Sequence, residues 1–380
     1  MEFKNFYEVV ASLEPDIPVV CLHHHKSEQN IQKFLKHFPG KTFYAIKSNP
    51  EPNFIKYVMN QGVRHFDVAS LNEVKLVHEL ATSLNIINDC TLAFMNPIKN
   101  RRAIREAYFE YGVRDFSFDT ETELYKILDE TKYAKDLGLH TRLVVPKGET
   151  VYDVSGRKFG ADFESAVELL RLTSQYAERV GICFHVGSQI TSNTAYSNAI
   201  AYVGKLLDES DVKLSVFDVG GGFPAEYPNS VLDDLTDYFA VIENSLASLN
   251  LCKTEIWCEP GRSIAAPSQS LIVKVNLRKG EKLYINDGVY GNLFESCNFT
   301  KQNYPSQLIR LNGDISDEIV PFELFGPTCD SVDYLPGPFY LPADAGEGDY
   351  IVFELAGAYT TCSSSNFNGF SDLICCEINA

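Results

Sequence analysis

Positive charge is scarce in this chain: 33 Lys and Arg stand against 51 Asp and Glu, a formal net charge of −18. Proteins that bind nucleic acid meet its phosphates with basic patches, so nucleic acid is not an expected partner. The balance is compatible with a small cationic substrate, although an acidic surface also serves solubility. Long apolar runs are lacking as well. The first, IPVVCL (17–22), follows acidic residues, falls far short of the roughly 20 residues that cross a bilayer, and has no signal-peptide character. A cytoplasmic, soluble protein without a membrane partner is expected. Among the 10 cysteines the paired spacings of a zinc site are missing, and several, such as Cys183 and Cys258, sit inside apolar runs; reduced thiols are the expectation. CLHHHK (21–26) offers a thiol and three imidazoles, but neighbouring strand residues point to alternate faces and cannot all reach one ion, so a surface cluster and no metal site is expected. No internal repeat or low-complexity segment stands out.

What the chain does have is a rhythm. Eight β-rich runs recur with helical stretches between them: FYAIK (43–47), HFDVAS (65–70), TLAFMN (91–96), DFSFD (115–119), TRLVVP (141–146), ICFHVG (182–187), SVFDVG (215–220) and IWCEP (256–260). Intervening segments such as ESAVELLRLTSQYAERV (164–180) space their apolar residues at three and four, as amphipathic helices do. Strands alternating with helices imply a parallel sheet, and eight such units predict an α/β fold of the (β/α)₈ TIM-type barrel class. After Arg262 the pattern turns to strand-like runs, SLIVKV (270–275), KLYIND (282–287) and YIVFEL (350–355), among turn-rich stretches, which reads as a β-sandwich or β-barrel domain. The division expected is a barrel over 26–265 and a β domain from 1–25 and 266–380, the leading segment adding an edge strand to the latter.

In a barrel of this kind the chemistry gathers at the carboxyl ends of the strands, and Lys47, Asp67, Asn96, Arg142, His185, Gly220 and Glu259 all fall at or near those ends. Each alone has a plain structural reading. Lys47 can snorkel from a strand end, Asn96 is better read as a satisfied structural polar group, and the glycines of DVGGGFP (218–224) can form a tight turn. Their convergence on one face favours a site. Consecutive glycines let backbone N–H groups approach an anion without a Cβ in the way, and CEPGRS (258–263) adds a glycine and an arginine. Loops after strands seven and eight are the recurrent phosphate site of such barrels. A strand-end lysine facing a phosphate site points to pyridoxal 5′-phosphate, whose aldehyde a desolvated lysine holds as a Schiff base. Glu259 then suits the pyridine nitrogen, which a carboxylate keeps protonated, and His185 could stack on the ring. In the second domain NDGVYGN (286–292), FGPTCDSVD (325–333) and ELAGAYTTCSSSNFNGF (354–370) are dense in glycine, hydroxyls and aromatics. Cys329 beside Asp330 is either an incidental turn pair or a thiol able to protonate a carbanion next to a carboxylate able to hold an ammonium.

From about residue 40 to 370 these motifs, in this order, resemble the fold-type III, alanine-racemase-like pyridoxal-phosphate decarboxylases, and within them the ornithine/lysine decarboxylase branch. FYAIKSNP looks like the Schiff-base lysine motif, HVGS the ring-stacking histidine motif, GGGFP the phosphate loop, and CEPGR the pyridinium carboxylate with the phosphate arginine. The resemblance implies Lys47 as the Schiff-base lysine, Glu259 as the pyridine partner, and Asp67, Glu73 and Arg142 as polar residues around cofactor and lysine. It implies Ser188, Gly221, Gly222, Gly261, Arg262 and Tyr359 at the phosphate, Cys329 as the proton donor to the substrate carbon, Asp330 on the distal amino group, and Tyr290 and Phe367 lining the pocket. It further implies a head-to-tail homodimer with active sites shared across the interface, the Cys329–Asp330 loop coming from the other subunit and Lys158 lying in the interface region.

The implied reaction is decarboxylation of a basic L-amino acid, ornithine or lysine, to putrescine or cadaverine for polyamine biosynthesis. One departure leaves the substrate open: where the ornithine enzymes carry a second aspartate for the distal amine, YGNLFESCNFT (290–300) has Phe299, and the nearest acid is Glu295. Rival readings are a decarboxylase of arginine, meso-diaminopimelate or carboxynorspermidine, a racemase of the same fold, and a non-catalytic regulator. Asp330 argues against diaminopimelate, whose enzymes typically carry glutamate there; the cysteine motif argues against a racemase, and the intact Lys47, Glu259 and Cys329 against a regulator.

Overall fold

The computed structural model describes residues 1–146, 150–152, 158–228, 230–249, 251 and 253–379. The chain forms two compact units, one of Gln29–Pro224 with Val231–Gly261, the other of Met1–Glu28, Ala225–Ser230 and Arg262–Ala380.

The first unit is a closed barrel of eight strands: Lys41–Ala45, His65–Val68, Thr91–Phe94, Asp115–Phe118, Gly138–Leu143, Arg179–Phe184, Val216–Asp218 and Glu255–Cys258. Neighbours pair in parallel, and the last closes on the first through Trp257 opposite Lys41 and Cys258 opposite Thr42. Every predicted strand lies in this barrel, but most end two or three residues earlier than their apolar runs suggest. Hydrophobicity continues into the strand-end loops, so it overstates the strands. Inside, Phe43, Ala93, Met95, Cys183, Val216 and Trp257 form a buried cluster, with the Phe43 and Trp257 rings stacked 4.2 Å apart. Full burial of a large apolar side chain contributes about 1.5–3 kcal/mol, so the interior is a packed floor rather than a pore. Two buried polar ties stiffen it: Asp115 accepts from Arg179 Nη2 at 2.6 Å and lies 2.9 Å from His140 Nε2. Lys99, wholly buried, donates to the carbonyls of Asn96, Pro97 and Ser117 and lies 3.3 Å from Glu123, which pins the loop after the third strand. Asn96 itself donates to the Ile98 carbonyl at 2.8 Å, a structural role.

Helices cover the barrel where capping and apolar spacing coincide. The one over Phe163–Thr173 starts where Asp162 accepts from Ser165 N and buries Ala166, Val167, Leu169 and Leu170. It stops seven residues short of the predicted 180 because the next strand opens at Arg179.

The second unit is a mixed nine-stranded sheet running Glu2–Phe3, Ile374–Ile378, Val19–Leu22, Gln269–Lys279, Lys282–Ile285, Ile319–Phe325 and Tyr334–Pro342, with Tyr350–Phe353 also on Gln269–Lys279 and Ser306–Ile309 on Tyr350–Phe353. The leading segment is not simply an edge. Val19–Leu22 is interior, parallel to Ile374–Ile378 and antiparallel to Gln269–Lys279, which its two-faced apolar run VVCL requires. His23 follows it and is buried rather than on the surface, with Nε2 3.2 Å from Ser270 Oγ. Among the described residues no helix is long and apolar enough to cross a membrane.

Candidate active site

Lys47 sits just beyond the first barrel strand, in a 3₁₀ turn over Ile46–Ser48. Local chemistry makes that turn. Ser48 Oγ donates to the Ala45 carbonyl at 2.8 Å, Asn49 Oδ1 accepts from Glu51 N at 3.1 Å, and the Glu51 carboxylate caps the helix over Pro52–Asn60, which begins on proline. FYAIKSNP is therefore a strand, a turn and a helix start, and its lysine is at the hinge between them. The ammonium reaches Asp67 Oδ2 at 2.7 Å, from the end of the second strand, where Asp67 is buried and Lys47 is 41% exposed. Glu73 lies on the helix that follows Asp67, its Oε2 accepting from Ala69 N at 2.6 Å. Burial, against that backbone bond, raises its pKa to about 7.

Across the barrel mouth, His185 Nδ1 accepts from Gly187 N at 3.0 Å, which puts the proton of the neutral ring on Nε2. Burial, then the charges of Arg142 and Lys47, lower its pKa to about 3, so the ring is neutral throughout the physiological range. DVGGGFP winds beside it. Gly222 has φ of +106°, and a Cβ there would stand 2.5 Å from the Gly187 carbonyl; one on Gly221 would stand 2.6 Å from the Glu259 carbonyl. Tyr196 OH holds the Gly221 carbonyl at 2.9 Å, and Ile190 N donates to the Gly222 carbonyl at 3.0 Å, the latter from the short strand that starts at Ser188. Gly261 passes against Ser48, where a Cβ would meet the Ser48 Cβ at 3.0 Å.

Glu259 is buried, and its Oε1 has no hydrogen-bond partner. Burial, then the nearby carboxylates of Asp218 and Asp67, push it well above the usual carboxylate range. Asp218 is raised too, by burial, although its Oδ1 accepts from Gly220 N at 2.8 Å. Both carboxyls therefore lean toward their protonated forms. Asp218 opens DVGGGFP and was passed over in the sequence in favour of its glycines; its place at a strand end was the available signal.

These observations test the fit to pyridoxal 5′-phosphate. An unpartnered buried carboxyl suits a pyridine N–H, a neutral flat ring suits stacking, and a backbone cradle that a Cβ would fill suits a phosphate. The barrel thus brings together Lys47, Asp67, Glu73, Arg142, His185, Gly221, Gly222 and Glu259, and they fit the cofactor.

The second unit carries two further clusters. Arg262 is buried, and its two Nη atoms donate to the two carboxylate oxygens of Glu295, each at 2.6 Å. Its guanidinium lies 4.8 Å from the Tyr359 ring centroid and touches Tyr227 OH at 3.3 Å. Glu295 is therefore committed to an arginine and does not replace the missing aspartate; Phe299, at that aspartate's approximate position, is 90% exposed. Sequence reading missed this pairing because nothing local links residues 33 apart.

The other cluster is open. Cys329 is exposed, with its N–H on Asn368 Oδ1 at 3.1 Å. Asp330 accepts from Tyr290 OH at 2.5 Å and from Val332 N at 3.0 Å, and the Tyr290 bond holds its carboxyl below the usual range. Phe367 packs on Tyr290 with ring centroids 4.5 Å apart. Buried Asp333 anchors both loops, accepting from Val289 N and from Thr328 N and Oγ1. Among the described residues no group of three or more His, Cys, Asp or Glu could hold a metal ion.

Comparison with known proteins agrees with this chemistry. The lysine/ornithine decarboxylase of Selenomonas ruminantium is 32% identical over 354 residues, 91% of this chain and 85% of that protein. A solved lysine/ornithine decarboxylase of Vibrio vulnificus in complex with cadaverine superposes with a TM-score of 0.82 at 28% identity, covering 100% of both chains. The arginine decarboxylase of Paramecium bursaria Chlorella virus, bound to agmatine, also superposes at 0.82 and 28% identity, covering 97% of this chain and 98% of that one. Residues 24–266 match the family model described as pyridoxal-dependent decarboxylase, pyridoxal binding domain: the chain belongs to the pyridoxal-dependent decarboxylases.

Proposed function

We propose that this enzyme decarboxylates ornithine or lysine to the matching diamine. The observation that carries the substrate reading is Asp330, half-buried on its loop and held in its charged form by Tyr290 and Val332 beside the exposed thiol of Cys329. A lone carboxylate of that kind suits a single distal ammonium, whereas a guanidinium asks for a broader set of acceptors. The relatives that act on lysine and ornithine support the same substrates.

Bound pyridoxal phosphate supplies the electron sink for the carbanion left when carbon dioxide departs. The chain supplies the rest. Lys47 would hold the cofactor's aldehyde, and Asp67, 2.7 Å from its Nζ, pairs the free ammonium. Glu259 would face the pyridine nitrogen and take up its charge, with the buried Asp218 carboxyl raising the Glu259 pKa. Neutral His185 would stack on the cofactor ring without adding charge, while Gly221, Gly222, Ser188, Gly261, Arg262 and Tyr359 would serve its phosphate. Asp330 holds the distal ammonium, Tyr290 and Phe367 shape its surroundings, and Cys329 Sγ returns a proton to the α-carbon. The functional form is a homodimer, which the exposure of Cys329 and Phe367 in the single chain supports.

The test is diamine release and carbon dioxide evolution from the cofactor-loaded protein with ornithine, lysine, arginine and meso-diaminopimelate, compared by kcat/KM. Ornithine or lysine is expected to lead by about tenfold or more, the size of one lost polar contact. Turnover led by arginine or diaminopimelate would refute the substrate while leaving the chemistry intact.

A further inference from the structure

The charge pair at Arg262 is built rather than incidental. Both guanidinium Nη atoms meet both Glu295 oxygens in parallel, Arg262 is 4% exposed and the Glu295 side chain 10%, and the bidentate fork is the strongest geometry such a pair adopts. The backbone around Glu295 is held as well. It lies in the short 3₁₀ turn Phe294–Ser296, and its carbonyl accepts from Gln302 N at 2.8 Å and from Thr300 Oγ1. The Tyr227 hydroxyl at the guanidinium brings no competing charge, being pushed up to about 12 by burial.

A phosphate monoester brings nearly two negative charges and draws on an arginine for charge and for a planar donor set. Here the same charge is already balanced by a carboxylate in a dry setting. A phosphate that shares the guanidinium stands near a like charge, and one that displaces the carboxylate leaves it buried and unpaired; both are costly where water does not screen. We propose that Glu295 competes with the cofactor's phosphate for Arg262, and so sets how strongly this enzyme prefers the phosphorylated cofactor to the same aldehyde without phosphate. The proposal rests on Arg262 serving the phosphate. Glu295 as a mere prop for the arginine makes the opposite forecast, since its loss would then weaken phosphate binding.

The experiment uses the full-length protein stripped of cofactor. Dissociation constants for pyridoxal 5′-phosphate and for pyridoxal are measured by absorbance titration in wild type, Glu295→Gln and Glu295→Asp, with borohydride trapping and peptide mapping to verify attachment at Lys47. The expected result is a preference for the phosphorylated aldehyde about tenfold greater in Glu295→Gln, with pyridoxal affinity unchanged, and an intermediate gain in Glu295→Asp, whose shorter arm cannot keep both 2.6 Å bonds. An unchanged or smaller preference in Glu295→Gln would overturn the proposal. If that variant does not fold, Glu295→Asp decides alone by the same ratio. Failure of either aldehyde to trap on Lys47 in wild type would overturn the cofactor roles as well, whereas trapping with an unchanged ratio overturns only the role of Glu295.

Discussion

At the mouth of the barrel two carboxyl groups, buried Glu259 and half-buried Glu73, are held toward their protonated forms, Glu259 well above its usual range and Glu73 at about 7, both through desolvation first. On the loops of the second unit the acid is half-buried and held the other way, Asp330 being pulled down by the Tyr290 hydroxyl. The same functional group is thus set to two tasks by its surroundings. A buried carboxyl that keeps a proton can exchange it with a cofactor ring, while a loop carboxylate that keeps its charge can select an ammonium. If the proposed roles hold, the pyridine ring and the substrate's distal amine are served from different stretches of the chain, and variants on the two sides should fail in different ways.

The largest effect is expected on the buried side. Glu259→Gln keeps the shape but cannot carry the counter-charge of a protonated pyridine, so kcat should fall on the order of 10²–10³-fold, the usual size for removing one aligned electrostatic partner. The cofactor should still attach at Lys47, with its absorbance shifted. A variant within threefold of wild type would mean that Asp218 alone supplies the charge and that the division between the two carboxyls is drawn wrongly.

On the exposed side, Cys329→Ala should lower kcat by about 10²-fold, the lower end of what a positioned acid contributes. Cofactor affinity and absorbance should stay as in wild type. Rapid-quench measurement should find carbon dioxide release nearly unaffected while diamine formation is slowed, because only the return of the proton is lost. Loss of cofactor binding in this variant would break the comparison, since it would tie the open loops to the barrel's task.

The two sides were also unequally legible. Strand periodicity and the rule that barrel chemistry lies at carboxyl ends led directly to Lys47, Asp67, His185 and Glu259, because each is placed by its own strand. Asp218 obeys the same rule and was hidden only by the glycines after it. The Arg262–Glu295 pair was not legible: it joins residues from separate segments, and sequence shows an arginine without showing what already occupies its donors. Strand ends were blurred because apolar character runs on into loops that are buried against the barrel top. The interior position of Val19–Leu22 was missed for a related reason, as a four-residue apolar run carries no record of how many neighbours it will have.

The smallest effect expected is a stability change with a sign that depends on pH. Glu73 has a folded-state pKa of about 7, raised by burial from its ordinary value of 4.5. An acid raised in this way binds more protons folded than unfolded between those two values, so its contribution to stability is present below pH 4.5 and is lost as pH rises toward 7. Glu73→Gln removes the titration while keeping an amide oxygen that can accept from Ala69 N, the bond now made at 2.6 Å. Relative to wild type, the variant's Tm should therefore climb by a few degrees between those limits and then level off above them. Thermal unfolding of the cofactor-free proteins at matched ionic strength reads this directly. A difference that stays flat across the range would mean that the carboxylate is accommodated charged, most simply by Lys47, and that Glu73 belongs with the ion pair of Lys47 and Asp67 rather than with the proton-holding carboxyls of the barrel mouth.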